Sequence, residues 1–487
     1  MARKFRLIRR AAACVSVLVS GVAFAQLPAA PATPAGPAAD SAAAEPPEVQ
    51  VEAGVQPLAS TNRAGYSLER CIALTLKNYP KVHEARARLS HRRAQQVQSW
   101  TQPYSEFNVT GGLALVPEVH GTALYSPDSD LKYSSNLDGL AWTIGIDGVV
   151  PLWTFGKITN LWQATAAQVK VAEQDVERER NAIKLDVRRA YYGVQLARDA
   201  IALMRDAESQ IDKYMRSLEK KVREGDGDQV TLYKLKINRA ELTARHSEAR
   251  QKEAIALASL KFLTGVRGHM VLPEVPLTRV RHSLGPIATY LNAARLHRPE
   301  INMARAGLTA REAQVRMERA RYFPDIGVGL SARWSKAPGI TDQTNPFVRE
   351  TINTLSYGAA LVLRYKLDFL PQSARVAQAQ AQLEELRATE RYALGGVAVE
   401  VETAYREAED AERRLNAYAE AAGYAKKWLL LVQQGIDVGT NDEEDIVDPA
   451  KEWALKRFAV MSATFDYNLA VGKLAQVTGW EAVIASR

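Results

Sequence analysis

Hydrophobic and polar residues alternate along four short stretches of this chain. In G-L-A-W-T-I-G-I-D-G-V-V-P-L-W (139–153), Leu140, Trp142, Ile144, Ile146, Val150 and Leu152 share one face, with Ala141, Thr143, Gly145 and Asp147 opposite. In 106–116, Phe107, Val109, Leu113 and Leu115 oppose Asn108, Thr110 and Ala114. In 325–334, Ile326, Val328, Leu330 and Trp334 oppose Gly327, Gly329, Ser331 and Arg333. In 355–367, Leu355, Tyr357, Leu361, Leu363, Tyr365 and Leu367 oppose Ser356, Gly358, Arg364 and Lys366. A period of two predicts strands with one apolar face. Each runs about ten residues, the length of a tilted strand crossing a bilayer.

Between the strands the period changes to seven. A helix over roughly 160–222 carries Val187, Val194, Ile201, Met215 and Val222 on one row and Ala190, Ala197, Met204, Ile211 and Leu218 on the next, with Glu208 as the break. A second long helix repeats this with Val401, Ala408, Leu415, Ala422 and Leu429 beside Ala404, Ala411, Tyr418, Ala425 and Val432. A sustained heptad predicts helices packed side by side, and small residues allow close approach.

The similarity of the two helices extends to the whole chain. Pro80, Ala85, Arg86, Ala87, Leu89, Arg92, Ala94 and Gln95 return 219 residues later as Pro299, Ala304, Arg305, Ala306, Leu308, Arg311, Ala313 and Gln314. Beyond the strands the offset is 214: Phe155, Val187, Ala190, Tyr191, Gly225, Leu260, Thr264 and Gly265 return as Phe369, Val401, Ala404, Tyr405, Gly439, Leu474, Thr478 and Gly479. The chain is therefore two structural repeats, 66–275 and 276–482, followed by a short tail, 483–487. Each reads helix, strand, long loop, strand, very long helix, tight turn, helix.

A plain coiled-coil rod would explain the heptads but not the strands. An oily sheet face needs a covering layer, and the heptad helices are already occupied with one another. Trp100, Tyr104, Trp153, Phe155, Tyr322, Phe323 and Phe369 gather at the strand–helix junctions, as aromatic girdles do where lipid meets water. Four strands cannot close a barrel, and an open edge in lipid leaves backbone groups unpaired. Bacterial barrels start at about eight strands, so several copies would have to donate strands to one barrel.

The ends and the charge sharpen this picture. Arg3, Lys4, Arg6, Arg9 and Arg10 precede an apolar run ending in Ala23-Phe24-Ala25, an export signal over 1–25. Residues 26–65 are rich in Pro and Ala and predict a semi-extended tether. Losing the signal's five positive charges lowers the net charge from +8 to +3, which weakens any nucleic-acid reading, and no nucleic acid is expected as a partner. Cys14 leaves with the signal, and Cys71 alone can form neither an internal disulfide nor a Cys-based zinc site.

Four motifs, in order inside the duplicated frame, carry a resemblance over about 66–480. They are S-L-E-R-C-I-A-L-T-L-K-N-Y-P (67–80), V-P-L-W-T-F-G-K (150–157), L-T-G (263–265) and V-T-G (477–479). Together they resemble the opening helix, the strand-to-helix junction and the hairpin ends of the TolC-like outer-membrane efflux proteins. The resemblance implies a homotrimer with mixed α and transmembrane β structure. Four strands per chain would build a shared twelve-stranded β-barrel in outer-membrane lipid, and the long helices a periplasmic α-barrel. It implies the exit duct of a tripartite efflux or type I secretion system, joined by a periplasmic adaptor to an inner-membrane pump.

The resemblance also marks the two inner helix–helix turns. Val438 and Gly439 match the family's Val-Gly-Leu, with Thr440 in place of Leu, and Asp445-Ile446 falls at its Asp-Val. In the other turn Gly225 matches, but Asp226 replaces Leu and Thr231-Leu232 replaces Asp-Val. Gly225, Asp226, Asp228, Val438, Gly439, Asp442, Glu443, Glu444 and Asp445 are thus candidates for a periplasmic tip or gate. Their acids could form a negative ring or simply a solvated turn. Asp147, Arg333, Arg364 and Lys366 are candidate lumen-facing charges. His120 and His246 have no partner at ligand spacing and read as surface residues. No nucleotide loop, zinc helix or nucleophile elbow occurs, so the chain is expected to be no enzyme, with no cofactor, metal or catalytic residue. The other reading, a periplasmic coiled-coil structural or interaction protein, would lack lipid-facing strands.

Overall fold

The computed structural model describes residues 65–104, 106–122, 131–225, 227–343 and 347–481. The expected export signal and nearly all of the tether lie outside these residues, as does Asp226.

The first repeat comprises α1 (Leu68–Asn78), α2 (Pro80–Thr101), β1 (Phe107–Val116), the short strands β2 (Val119–His120) and β3 (Lys132–Tyr133), β4 (Gly139–Trp153), α3 (Lys157–Glu224) and α4 (Gln229–Thr264). The second comprises α5 (Ile287–His297), α6 (Pro299–Ala320), β5 (Asp325–Lys336), β6 (Thr354–Arg364), α7 (Phe369–Val438) and α8 (Val447–Thr478). Short 3-10 turns lie at Gln102–Tyr104 and Glu443–Ile446. The 68 residues of α3 and 70 of α7 span about 100 Å each. Four helices end at the equivalent glycines Gly225, Gly265, Gly439 and Gly479, with φ of 88, 70, 79 and 66°, a conformation a Cβ disfavours.

The repeats bury equivalent residues. Val187 and Val401, and Leu260 and Leu474, are all 0% exposed. The expected heptad rows seat the long helices through their middle, where Ala190, Val194, Ala197 and Ile201 of α3 and Ala404, Ala408, Ala411 and Leu415 of α7 are buried. Tyr418 is the exception and is exposed. Contacts run α4 to α3, α3 to α8 and α8 to α7, while α6 fits between α3 and α7 and α2 lies on α3. This leaves α2 and α4 at one end of the helical row and α7 at the other.

The sheet has the order β1-β4-β5-β6, antiparallel throughout. Its register brings the predicted apolar faces together: Leu113 opposes Trp142, Ile144 opposes Trp334, and Trp334 opposes Leu355. That face is bare, with Leu113 77% and Leu361 74% exposed. Strand β6 ends at Arg364, earlier than expected, so Tyr365, Lys366 and Leu367 lie in the connection to α7. Lys366 is therefore no barrel-strand residue; it pairs with Asp368 at 3.2 Å. Among the described residues no helix is long and apolar enough to cross a membrane.

Candidate functional site: the polar sheet face and the inner turns

Residues directly opposite across a sheet share a face. Register places Asn108, Asp147 and Ser331 in one row, and Thr110, Gly145, Arg333 and Ser356 in the next. Thr143 and Ser335 share a hydrogen bond of 2.8 Å on the same face. Gly145 leaves room for Arg333: a Cβ there would stand 3.1 Å from the Thr110 hydroxyl and 3.6 Å from Arg333 Nε. Asp147 and Arg333, both exposed, are thus brought to one polar surface. Arg364 opposes Asp325 at the helix-side end of this face.

At that end the strands turn into helices. Lys157 Nζ donates to Asp325 at 2.7 Å and to the Phe323 carbonyl at 2.8 Å, tying α3 to β5. Phe155 has φ of 50°, followed by Gly156 at 93°, and the left-handed turn costs Phe155 about 1–2 kcal/mol. Stacking on Phe323 at 5.2 Å and an edge contact with Trp153 at 6.1 Å offset that strain. Sequence reading placed these aromatics at the junction. It missed a second aromatic pair at the far end of the sheet, Trp142 and Trp334, whose rings meet edge-on at 4.4 Å.

The inner turns are built differently in the two repeats. Asp228 caps α4, its carboxylate accepting from the Val230 and Thr231 N–H groups at 2.9 and 3.0 Å. Those bonds, that from Val230 N–H first, hold its pKa below the ordinary carboxylate range. In the other turn, Thr440 and Asn441 N–H donate to the Gly435 carbonyl at 2.8 and 3.2 Å. Asp445 Oδ2 accepts from the Asp442 N–H at 3.0 Å and from Asn441 Nδ2 at 3.2 Å. Gly225, Val438, Gly439 and Asp442 are exposed, while Glu443 and Glu444 are described only as backbone. The structure therefore gives Asp228 and Asp445 internal hydrogen-bonding work and leaves Asp442 facing solvent. Ile446 is 4% exposed, and Val447 packs with Met215 and Val222 against Leu218, Leu232 and Leu235, fastening the second turn to the first hairpin. The signal for that clamp was an apolar Ile-Val pair inside an acid-rich turn.

His246 corrects the surface reading. Its side chain is 13% exposed, and Nδ1 lies 3.2 Å from Glu208. The residue that breaks the α3 heptad thus faces a histidine of α4. His120 is exposed, as expected, 3.5 Å from Glu118. Burial pushes the Cys71 thiol up to about 11, which leaves it a core residue rather than a nucleophile.

Comparison with known proteins decides the family. The outer membrane efflux protein family model matches residues 71–266 and 290–480, most of the chain and both repeats. The chain belongs to that family. The open-state MtrE outer membrane channel of Neisseria gonorrhoeae has the same fold, with a TM-score of 0.68 at 16% identity over 85% of this chain and 89% of that one. The Campylobacter jejuni CmeC outer membrane channel superposes with a TM-score of 0.63 at 16% identity, covering 88% of this chain and 91% of that chain. In sequence, Protein CyaE of Bordetella pertussis is 28% identical over 190 residues, 39% of this chain and 38% of its own length. The match thus spans well under half of that curated relative. The protein is an outer-membrane efflux protein.

Proposed function

We propose that three copies of this chain form one outer-membrane channel, the exit duct of an efflux or type I secretion assembly powered by an inner-membrane pump through a periplasmic adaptor. The observation that carries this reading is the four-stranded sheet, apolar and bare on one face, polar on the other, with β1 and β6 as unpaired edges. In lipid such edges must close, and pairing β6 of one copy with β1 of the next satisfies both. Three copies give twelve strands, with Asp147 and Arg333 lining the lumen and lipid against Leu113 and Leu361. The exposed Asp442, repeated by symmetry, stands at the inner mouth. No energy-coupling site is legible in the chain, so transport draws on the partner.

Reconstitution of the purified protein in planar lipid bilayers tests the channel. The expected result is a stepwise ion conductance whose cation-to-anion preference shifts when Arg333→Glu reverses the lumen charge. Intact bilayers at protein concentrations that conduct for other outer-membrane channels would contradict it.

A further inference from the structure

The duplicated chain contains one junction that a second copy can repeat. Helices α2 and α6 are equivalent, each of 22 residues and each starting at proline. Each makes one equivalent contact with its own long helix. Arg92 donates to Gln168 at 3.4 Å, and Arg311 to Gln382 at 2.7 Å. These pairs obey both sequence offsets, 219 on the short helix and 214 on the long one. The neighbouring ion pair also recurs with its signs exchanged: Arg93–Glu173 at 3.0 Å becomes Glu312–Arg387, with Arg387 as the cation, at 3.1 Å.

The two short helices differ in what covers their other side. Helix α6 has a second partner, α3 of the first repeat, whereas among the described residues α2 has no comparable second long-helix partner. That second contact is antiparallel: Asn302 donates to Gln174 at 3.5 Å, and Arg316 to Asn160 and Gln163 at 3.1 Å each. Within it Ala313 is 0% and Ala167 4% exposed. The matching face of α2, with Arg86, Ser90, Ala94 and Val97, is exposed. So is the matching face of α7, with Ala374, Ala377, Ala381 and Glu385.

Resting on the assembly reading above, we infer that α2 of one copy packs on α7 of the next in the register that α6 holds on α3. Moving the antiparallel register that these pairs define by the two offsets sets Val97 beside Ala374 and His83 beside Ala388, and between them Ala94 level with Ala377 and Ser90 level with Ala381. Small residues at those levels let the helices approach closely. The same register sets Arg86 level with Glu385, a charge match that the corresponding residues of the template, Arg305 and Val171, do not offer. The occupant of the bare α2 face is therefore a second copy, and Arg86–Glu385 marks the register between copies.

Introduced cysteines test the register in the full chain, where Cys71 is fully buried and does not compete. Oxidising Ala94→Cys with Ala377→Cys is expected to give covalent dimers and trimers on denaturing gels. Ala94→Cys with Ala388→Cys, displaced by about 16 Å along α7, is expected to give several-fold less. A further readout is the heat stability of the unboiled oligomer band. It should fall in Glu385→Arg and recover in Arg86→Glu with Glu385→Arg. An oligomer that forms normally while the first pair fails to cross-link, or cross-links no better than the displaced pair, overturns this register and leaves the assembly reading standing. A chain that forms no oligomer in any background overturns both.

Discussion

The sheet and the helical layer treat the same residue types in opposite ways. Leu113 and Leu361 of the strands are 77% and 74% exposed, while Val187, Leu260, Val401 and Leu474 of the helices are 0% exposed. In the helices, apolar residues find one another within the chain, at heptad spacing. In the sheet they face outward, and the polar residues turn to the opposite side. One chain is thus written for two solvents, with Phe155, Phe323 and Trp153 at the boundary. The periodicity of a segment tells which of its faces is apolar. Only the supply of covering elements tells whether that face meets protein or lipid.

The largest effects should come from charging the outward sheet face. Leu361→Arg places a guanidinium in hydrocarbon, costing roughly 2–4 kcal/mol near the bilayer midplane, three times over in a trimer. Assembled protein in outer-membrane fractions should fall sharply, whereas Ser356→Arg on the polar face should insert normally. Equal loss in both variants would break the contrast between the faces. In the helices the same leucine is a core residue. Leu260→Ala should cost about 2–5 kcal/mol, read as a lower midpoint of thermal unfolding followed by helical circular dichroism, with little effect on insertion of the protein that does fold. Its equivalent, Leu474→Ala, should match it if the repeats are energetically alike.

A smaller effect concerns Glu481, which joins the end of α8 to α3. Burial alone would raise its pKa, but Lys184 and Arg188 outweigh burial and hold it below the ordinary carboxylate value. A depressed folded pKa adds stability above the unfolded value, near pH ~4.3, and that stability is lost as pH falls through the folded pKa. Thermal midpoints measured from pH 7 to pH 3 should show Glu481→Gln less stable at pH 7 and converging with the parent at the acid end. A constant gap would sink this assignment.

Much of the fold was legible because it obeys short repeats. The strand alternation, the heptads and the offsets of 219 and 214 each depend on residue type at regular spacing, and the sheet register and paired cores follow them. The candidate site was less legible. Asp228 and Asp445 look in sequence like free acids of a charged turn, yet their oxygens accept backbone N–H groups. Whether a turn carboxylate caps or faces solvent depends on local φ and ψ, which composition does not encode. Glu208 and His246 lie on different helices, and no period links them. Lys366 continued the alternation past the end of the strand because hydrogen bonding, rather than hydropathy, sets where a ladder stops.

The central claim is that the bare sheet face and the open strand edges are completed by two further copies in lipid. Native mass measurement of the protein extracted from outer membranes in detergent tests this most directly, with boiled and unboiled samples compared on a gel. The account predicts extraction only with detergent, a mass of three chains, and an oligomer band that collapses to one chain on boiling. A soluble monomer or dimer obtained without detergent would contradict it and return the heptads to a coiled-coil rod.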